Sequence, residues 1–244
     1  MADEGNRGMD PDLPVVRLCV AGMEAEADGR ADAAYELFRQ AWDVARDDYE
    51  ACIAAHYLAR HQSSPEETLR WNQECLDRAD LVADERVRGF YPSLYVNMGR
   101  AHQEQGQPAL AYGYFVRAAE RVGELPEGQY GDWNRFAIGE GIRDTAPEAA
   151  NIETGNGPSE GTSPALRSLG EDVDTRIREL LSRWCARADL MALGLTLPAY
   201  LGYLGTDEDR IRLRAALHMV HSARRLPEEE QAALGAVIGA AALR

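Results

Sequence analysis

Apolar and small residues recur every three or four positions along much of this chain, and polar turns interrupt them at short intervals. Leu18, Ala21, Gly22 and Ala25 fall at helical spacing before Gly29 breaks the run. Ala34, Phe38 and Ala41 resume the period in a second predicted helix. Tyr95, Met98, Gly99 and His102 take the same offsets before Gly106, and Ala111, Phe115 and Ala118 take them after it. From Gly29 and again from Gly106 the chain reads Gly, four residues, Ala, three residues, Phe, two residues, Ala. Each unit is predicted to be a helix, a glycine turn and a second helix. Gly22 and Gly99 let the second helix approach closely, Ala34 and Ala111 answer them, and Phe38 and Phe115 fill the space behind.

A further unit lies between these two. Counting 34 residues from Ala34 gives Thr68, and 34 from Ala41 gives Cys75. The unit departs from the pattern, with His56 where a small residue is expected and Asn72 where Phe is expected. Ser64 followed by Pro65 still marks a helix start. The next interval, Thr68 to Ala111, is 43 residues, and the surplus falls in "DLVADERVRGFYP", which lengthens the helices and their connection. Pro92 is read as the start of the following helix, and "DWNRFAIGEGIR", Asp132 to Arg143, as a closing helix.

The spacing resembles the tetratricopeptide repeat (TPR) family, most plainly over "NMGRAHQEQGQPALAYGYFVRAA". The resemblance implies an all-α fold: a TPR-type helical solenoid of about three repeats plus a capping helix over residues 14–143, after an N-terminal tail at 1–13. About three repeats are what such a stack needs to bury a continuous core. Residues 144–164 read as a linker or mobile loop, being rich in Pro, Gly, Ser and Glu. Residues 165–244 read as a C-terminal bundle of four helices. Val173, Ile177, Leu180, Leu181 and Trp184 share one helical face, and Thr206 and Asp209 stand in a capping-box arrangement.

Composition narrows the function. Of 244 residues 45% are hydrophobic and 27% charged, ordinary for a globular protein. The net charge of -15 argues against direct nucleic-acid binding and against docking on an anionic membrane. The apolar run from Leu190 to Gly205 is too short to cross a membrane and is interrupted by Pro198. There is no lysine, which excludes Schiff-base and phosphate-loop lysine chemistry. High alanine and arginine without lysine resembles the repeat proteins of high-GC, actinomycete-like bacteria. Cys19, Cys52, Cys75 and Cys185 form no CxxC pair, and the polar N-terminus has no signal-peptide core. The expectation is therefore free thiols in a cytoplasmic protein.

No catalytic motif emerges, and no cofactor or metal is expected. Cys52, His56 and Cys75 come closest to a ligand set, but they occupy packing positions of the repeat. His218 and His221 lack completing ligands. The TPR resemblance implies a groove formed by the first helix of each unit. In this sequence that register names Met23 and Ile53 as apolar contacts, with Tyr57, Arg60, His61, Arg100 and Gln103 as polar and aromatic ones. Arginine forks hold carboxylates in a bidentate way, so a protein or peptide bearing a carboxylate is the expected partner. The competing expectation for Arg60 and Arg100 is ion pairing with Glu50, Glu104 or nearby acids. The function expected is a protein-binding adaptor or scaffold, with homodimerisation through the C-terminal helices left open. The alternatives are a small-molecule binder or enzyme using a pocket between the two parts, lined by His218, His221, Tyr200 or Tyr203, and a ligand-responsive regulator.

Overall fold

A computed structural model of the chain describes residues 10–153 and 169–243. It is all-helical, with no strand among the described residues. Also among those residues, no helix is long and apolar enough to cross a membrane.

Three helix hairpins open the chain. The first is α1 (Pro14–Ala27) and α2 (Ala31–Val44). Pro14 sits in the first turn, where its missing N–H costs nothing. α1 ends at Gly29, whose φ of 74° is in the left-handed region. There the Gly29 N–H donates to Glu26 O at 2.9 Å and the Arg30 N–H to Ala25 O at 2.8 Å, the paired bonds of a Schellman turn. The third hairpin, α6 (Phe90–Glu104) and α7 (Pro108–Glu120), repeats this turn. Gly106 has φ 68°, and the Gly106 and Gln107 N–H groups donate to Gln103 O and His102 O.

Between them lie α3 (Asp48–Leu58) and α4 (Pro65–Val82). Here a 3-10 turn at Ala59–His61 replaces the glycine turn, and the Ser64 side chain caps α4 by accepting from the Glu67 N–H. The surplus between the second and third units appears as the longer α4 and the one-turn α5 (Glu85–Arg88). α6 begins at Phe90, so Pro92 lies within its first turn. Successive helices pack as neighbours: α2 on α3, α4 on α6, and α1 on α3. Their core joins Val15, Cys19, Ala34, Phe38, Cys52, Ile53, Leu58, Cys75 and Leu94.

The phenylalanine positions explain the glycines. A Cβ added at Gly22 would lie 2.3 Å from the Phe38 ring, and one at Gly99 would lie 2.9 Å from the Phe115 ring. Neither glycine can carry a side chain without moving a buried ring.

α8 runs from Gln129 to Glu153. It therefore continues past Arg143 into the stretch read as linker, and Thr145 is buried with its hydroxyl donating to Gly141 O at 2.6 Å. The rest of that expected linker, residues 154–164, lies outside the described residues. The chain divides into two compact units, one of Met1–Pro126 with Gly141–Ile152, the other of Glu127–Glu140 with Glu153–Arg244. In the first unit Gly141 repeats the glycine rule, since a Cβ there would lie 2.4 Å from Phe115.

The second unit contains α9 (Glu171–Ala186), α10 (Leu190–Leu201), α11 (Asp207–Ser222) and α12 (Glu228–Gly239). α9 packs on α10, α10 on α11, α11 on α12 and α12 back on α9, which closes a four-helix bundle. The α9 face expected from the sequence is buried in full, and Trp184 is its largest member. A buried indole needs an acceptor, and Trp184 Nε1 donates to Glu230 Oε2 at 3.0 Å. Arg187 donates to the other oxygen of Glu230 at 2.6 Å and holds its carboxyl below the usual range. The capping box forms: Thr206 accepts from the Asp209 N–H, while Asp209, 2% exposed, accepts from the Thr206 and Leu204 N–H groups and from Arg135. α10 runs through Pro198 rather than stopping at it, and lacks there the one backbone bond that the missing N–H would have made.

Candidate functional site

The residues expected in the groove separate into two groups. Ile53, expected as an apolar contact for a ligand, is fully buried. α3 has α1, α2 and α4 packed around it, and Ile53 belongs to the core they enclose. Met23 and Tyr57 are half-buried, packed against that core. Arg60 and Gln103 are exposed, and His61 and Arg100 are half-buried.

The structure brings Tyr57, Arg60 and His61 together around a residue of the first hairpin, Glu26. The Arg60 guanidinium donates through Nη2 to both Glu26 oxygens, at 3.0 and 3.2 Å, and His61 Nε2 lies 2.8 Å from Oε1. Arg60 also lies over the Tyr57 ring at 5.8 Å, and Tyr57 stacks on Phe38 with ring centroids 5.3 Å apart. The carboxylate that these two bases hold is thus supplied by the chain itself. It comes from α1, rather than from Glu50 or Glu104. Glu50 is buried and accepts from the Arg46 N–H. Glu26 and Arg60 are 34 residues apart, the interval between the first two units, so the repeat sets them side by side on α1 and at the end of α3. That interval was a signal available in the sequence.

The cluster adjoins a recess of about 440 Å³ whose walls include Asp32, Tyr35, Glu36 and His61. The Arg60 side chain is 44% exposed, and only its Nη2 is engaged by Glu26 among the described residues. Its Nε and Nη1 remain donors, each able to give a single charge-assisted bond to a second carboxylate. A larger recess, of about 820 Å³, lies at the start of α3 and α5, where Asp47, Glu50, Asp84 and Glu85 surround Tyr49 and Arg86. Arg86 covers the Tyr49 ring at 4.5 Å and donates to Asp84 at 2.8 Å, so both of these groups are used in packing.

Cys19, Cys52 and Cys75 are buried, whereas Cys185 is exposed. Cys52 and Cys75 lie with their sulfurs 3.5 Å apart, both fully buried, and the Cys75 thiol donates to Cys52 O at 3.2 Å. Cys19 is buried too, and desolvation pushes its thiol up to about 12, far from the thiolate that chemistry requires. Among the described residues no three His, Cys, Asp or Glu side chains gather to hold a metal ion. In the second unit, the Tyr200 hydroxyl donates to Asp174 at 2.9 Å and accepts from Arg178 at 3.2 Å. His218 is exposed on α11, and half-buried His221 lies over Gly235.

No family model, no curated protein and no solved structure matches this chain.

Proposed function

We propose that the chain is a protein- or peptide-binding module of the tetratricopeptide type that works as an adaptor or scaffold. The observation that carries this reading is the cluster of Glu26, Tyr57, Arg60 and His61, built by equivalent ends of consecutive hairpins and left accessible beside a recess. A guanidinium half-engaged by an internal carboxylate recognises an incoming one without leaving a bare buried charge when the ligand departs. The ligand it fits is an extended peptide with a free carboxylate, set against Arg60 and the Tyr57 ring. Arg100 belongs to the third unit and, by the register of the units, holds there the position that Tyr57 holds in the second.

The test is selection of an eight-residue peptide library with free C-termini on the full chain, followed by affinity measurement. Selected peptides are expected to bind the wild type and to weaken at least tenfold with Arg60→Glu/Arg100→Glu, and also when the peptide carboxylate is amidated. Equal binding by the variant, or a library that yields no enriched sequence, would refute the reading.

A further inference from the structure

The outer face of α11 carries exposed apolar side chains. Leu213, Ala216, Leu217 and Val220 face the bundle core. On the opposite side Ile211 is 68% and Met219 52% exposed, with exposed Ala215 midway between them. The three are spaced four apart, so they form one ridge along the helix. Two more apolar side chains, Leu190 and Met191, are exposed at the start of α10, and Arg225 donates to the Met191 sulfur at 3.7 Å. An apolar ridge on a charged helix is a candidate interaction surface.

Charge along the same helix is sharply divided. The first turn holds Asp207, Glu208 and Asp209, and from Arg210 to Arg225 the chain has five arginines, two histidines and no acid. Asp207 and Glu208 are exposed at one end of the ridge, where they pair with Arg210 and Arg212 of their own helix, and Arg224 and Arg225 are exposed at the other. This in a chain of net charge -15.

We propose that α11 is a self-association surface through which two copies of the chain pair antiparallel, about a two-fold axis at Ala215. A two-fold interface requires a patch that complements itself, and this one does so in both shape and charge. With Ala215 at the crossing point the helices approach closely, and Ile211 meets Met219 of the partner subunit, twice over. The acidic first turn of each helix meets Arg224 and Arg225 of the partner subunit. A foreign acidic helix would satisfy the arginines alone; only a second copy also uses the acidic turn. One helix pair covers less area than a standard stable interface, so the dimer is a weak one.

Sedimentation equilibrium of the full chain tests this from about 1 to 200 µM. The wild-type mass should rise from 26.9 kDa toward twice that value, and Met219→Glu should hold it at 26.9 kDa. Asp207→Arg/Glu208→Arg and Arg224→Glu/Arg225→Glu should each be monomeric alone, because each sets like charges face to face. Their equimolar mixture should recover the dimer, since both ends are then complementary. Circular dichroism checks that each variant is folded. Should the acidic-turn variant fail to fold, Met219→Glu and the arginine reversal still decide the matter. A wild type that stays monomeric to 200 µM, a dimer that survives the reversals, or a mixture of folded variants that stays monomeric would overturn the proposal.

Discussion

The first and third hairpins solve the packing of two helices in one way, and the second solves it in another. In the first and third, a glycine on one helix receives a phenylalanine ring from the next, and a left-handed glycine makes the turn. In the second hairpin the large and small partners trade places. His56 stands at the glycine position and Asn72 at the phenylalanine position, and Ser63 occupies the place of the turn glycine. The His56 ring is buried, edge-on to Tyr57 and Phe90 at 5.4 and 5.2 Å. Asn72 is fully buried and donates to Thr68 O at 2.8 Å. His56 Nδ1 and Asn72 Oδ1 have no partner in the described structure. The polar solution carries a cost of unsatisfied groups that the aromatic one avoids. The chemistry at this junction thus differs between hairpins.

The largest break in the comparison comes from removing a ring. Phe115 is fully buried against both Gly99 and Gly141, positions with no side chain to collapse into the gap. Phe115→Ala is expected to destabilise the chain by about 3–5 kcal/mol, and Phe38→Ala by a similar amount. Asn72→Ala, at the matching position, should cost less than about 1 kcal/mol, because it also removes an orphaned acceptor. Urea denaturation of the three variants checks this. Equal losses at all three positions would mean that the hairpins are packed alike.

The same contrast separates what was legible in the sequence from what was not. The glycine turns, the Ser64 cap, the Thr206–Asp209 capping box and the buried face of α9 are local signals, and each stands where spacing puts it. The continuation of α8 past Arg143 was hidden, because Thr145 holds its place by a bond to its own helix while composition there reads as a tether. Ile53 shares a helix face with half-buried Tyr57, four residues on, and no periodicity separates the buried residue from the accessible one; neighbouring helices do that. The pairing of Arg60 and His61 with Glu26 was encoded in the 34-residue interval, but it is visible only once α1 and α3 lie side by side.

A titration sharpens the comparison at His56. Burial, reinforced by the nearby Arg60 charge, holds the imidazole down to about 4, against 6.5 for a free histidine. The unfolded chain therefore takes up a proton there below about pH 6.5, while the folded chain does so only near pH 4. Stability is lost as pH falls through this window, by about 2 kcal/mol between pH 7 and pH 5. The first and third hairpins, with glycine at this position, have no such dependence. Urea denaturation at the two pH values should show a smaller loss in His56→Gln than in the wild type. Parallel losses would mean that the carboxylates alone set the acid sensitivity.

The finest comparison is to convert the second hairpin into the first. Asn72→Phe alone introduces a ring facing the occupied histidine position and should cost about 1–3 kcal/mol through overpacking. His56→Gly alone removes the buried ring and leaves a void beside Asn72. Together they recreate the arrangement of Gly22 with Phe38. The double variant should be more stable than the sum of the single losses implies, with a coupling of about 1–2 kcal/mol. Its acid sensitivity between pH 7 and pH 5 should fall with the histidine gone. Additive losses would show that residues 56 and 72 do not share one space, and that the second hairpin keeps a register of its own. Coupling without a change in acid sensitivity would keep the packing argument and detach the pH response from His56. The two readouts therefore test volume and charge separately at a single junction.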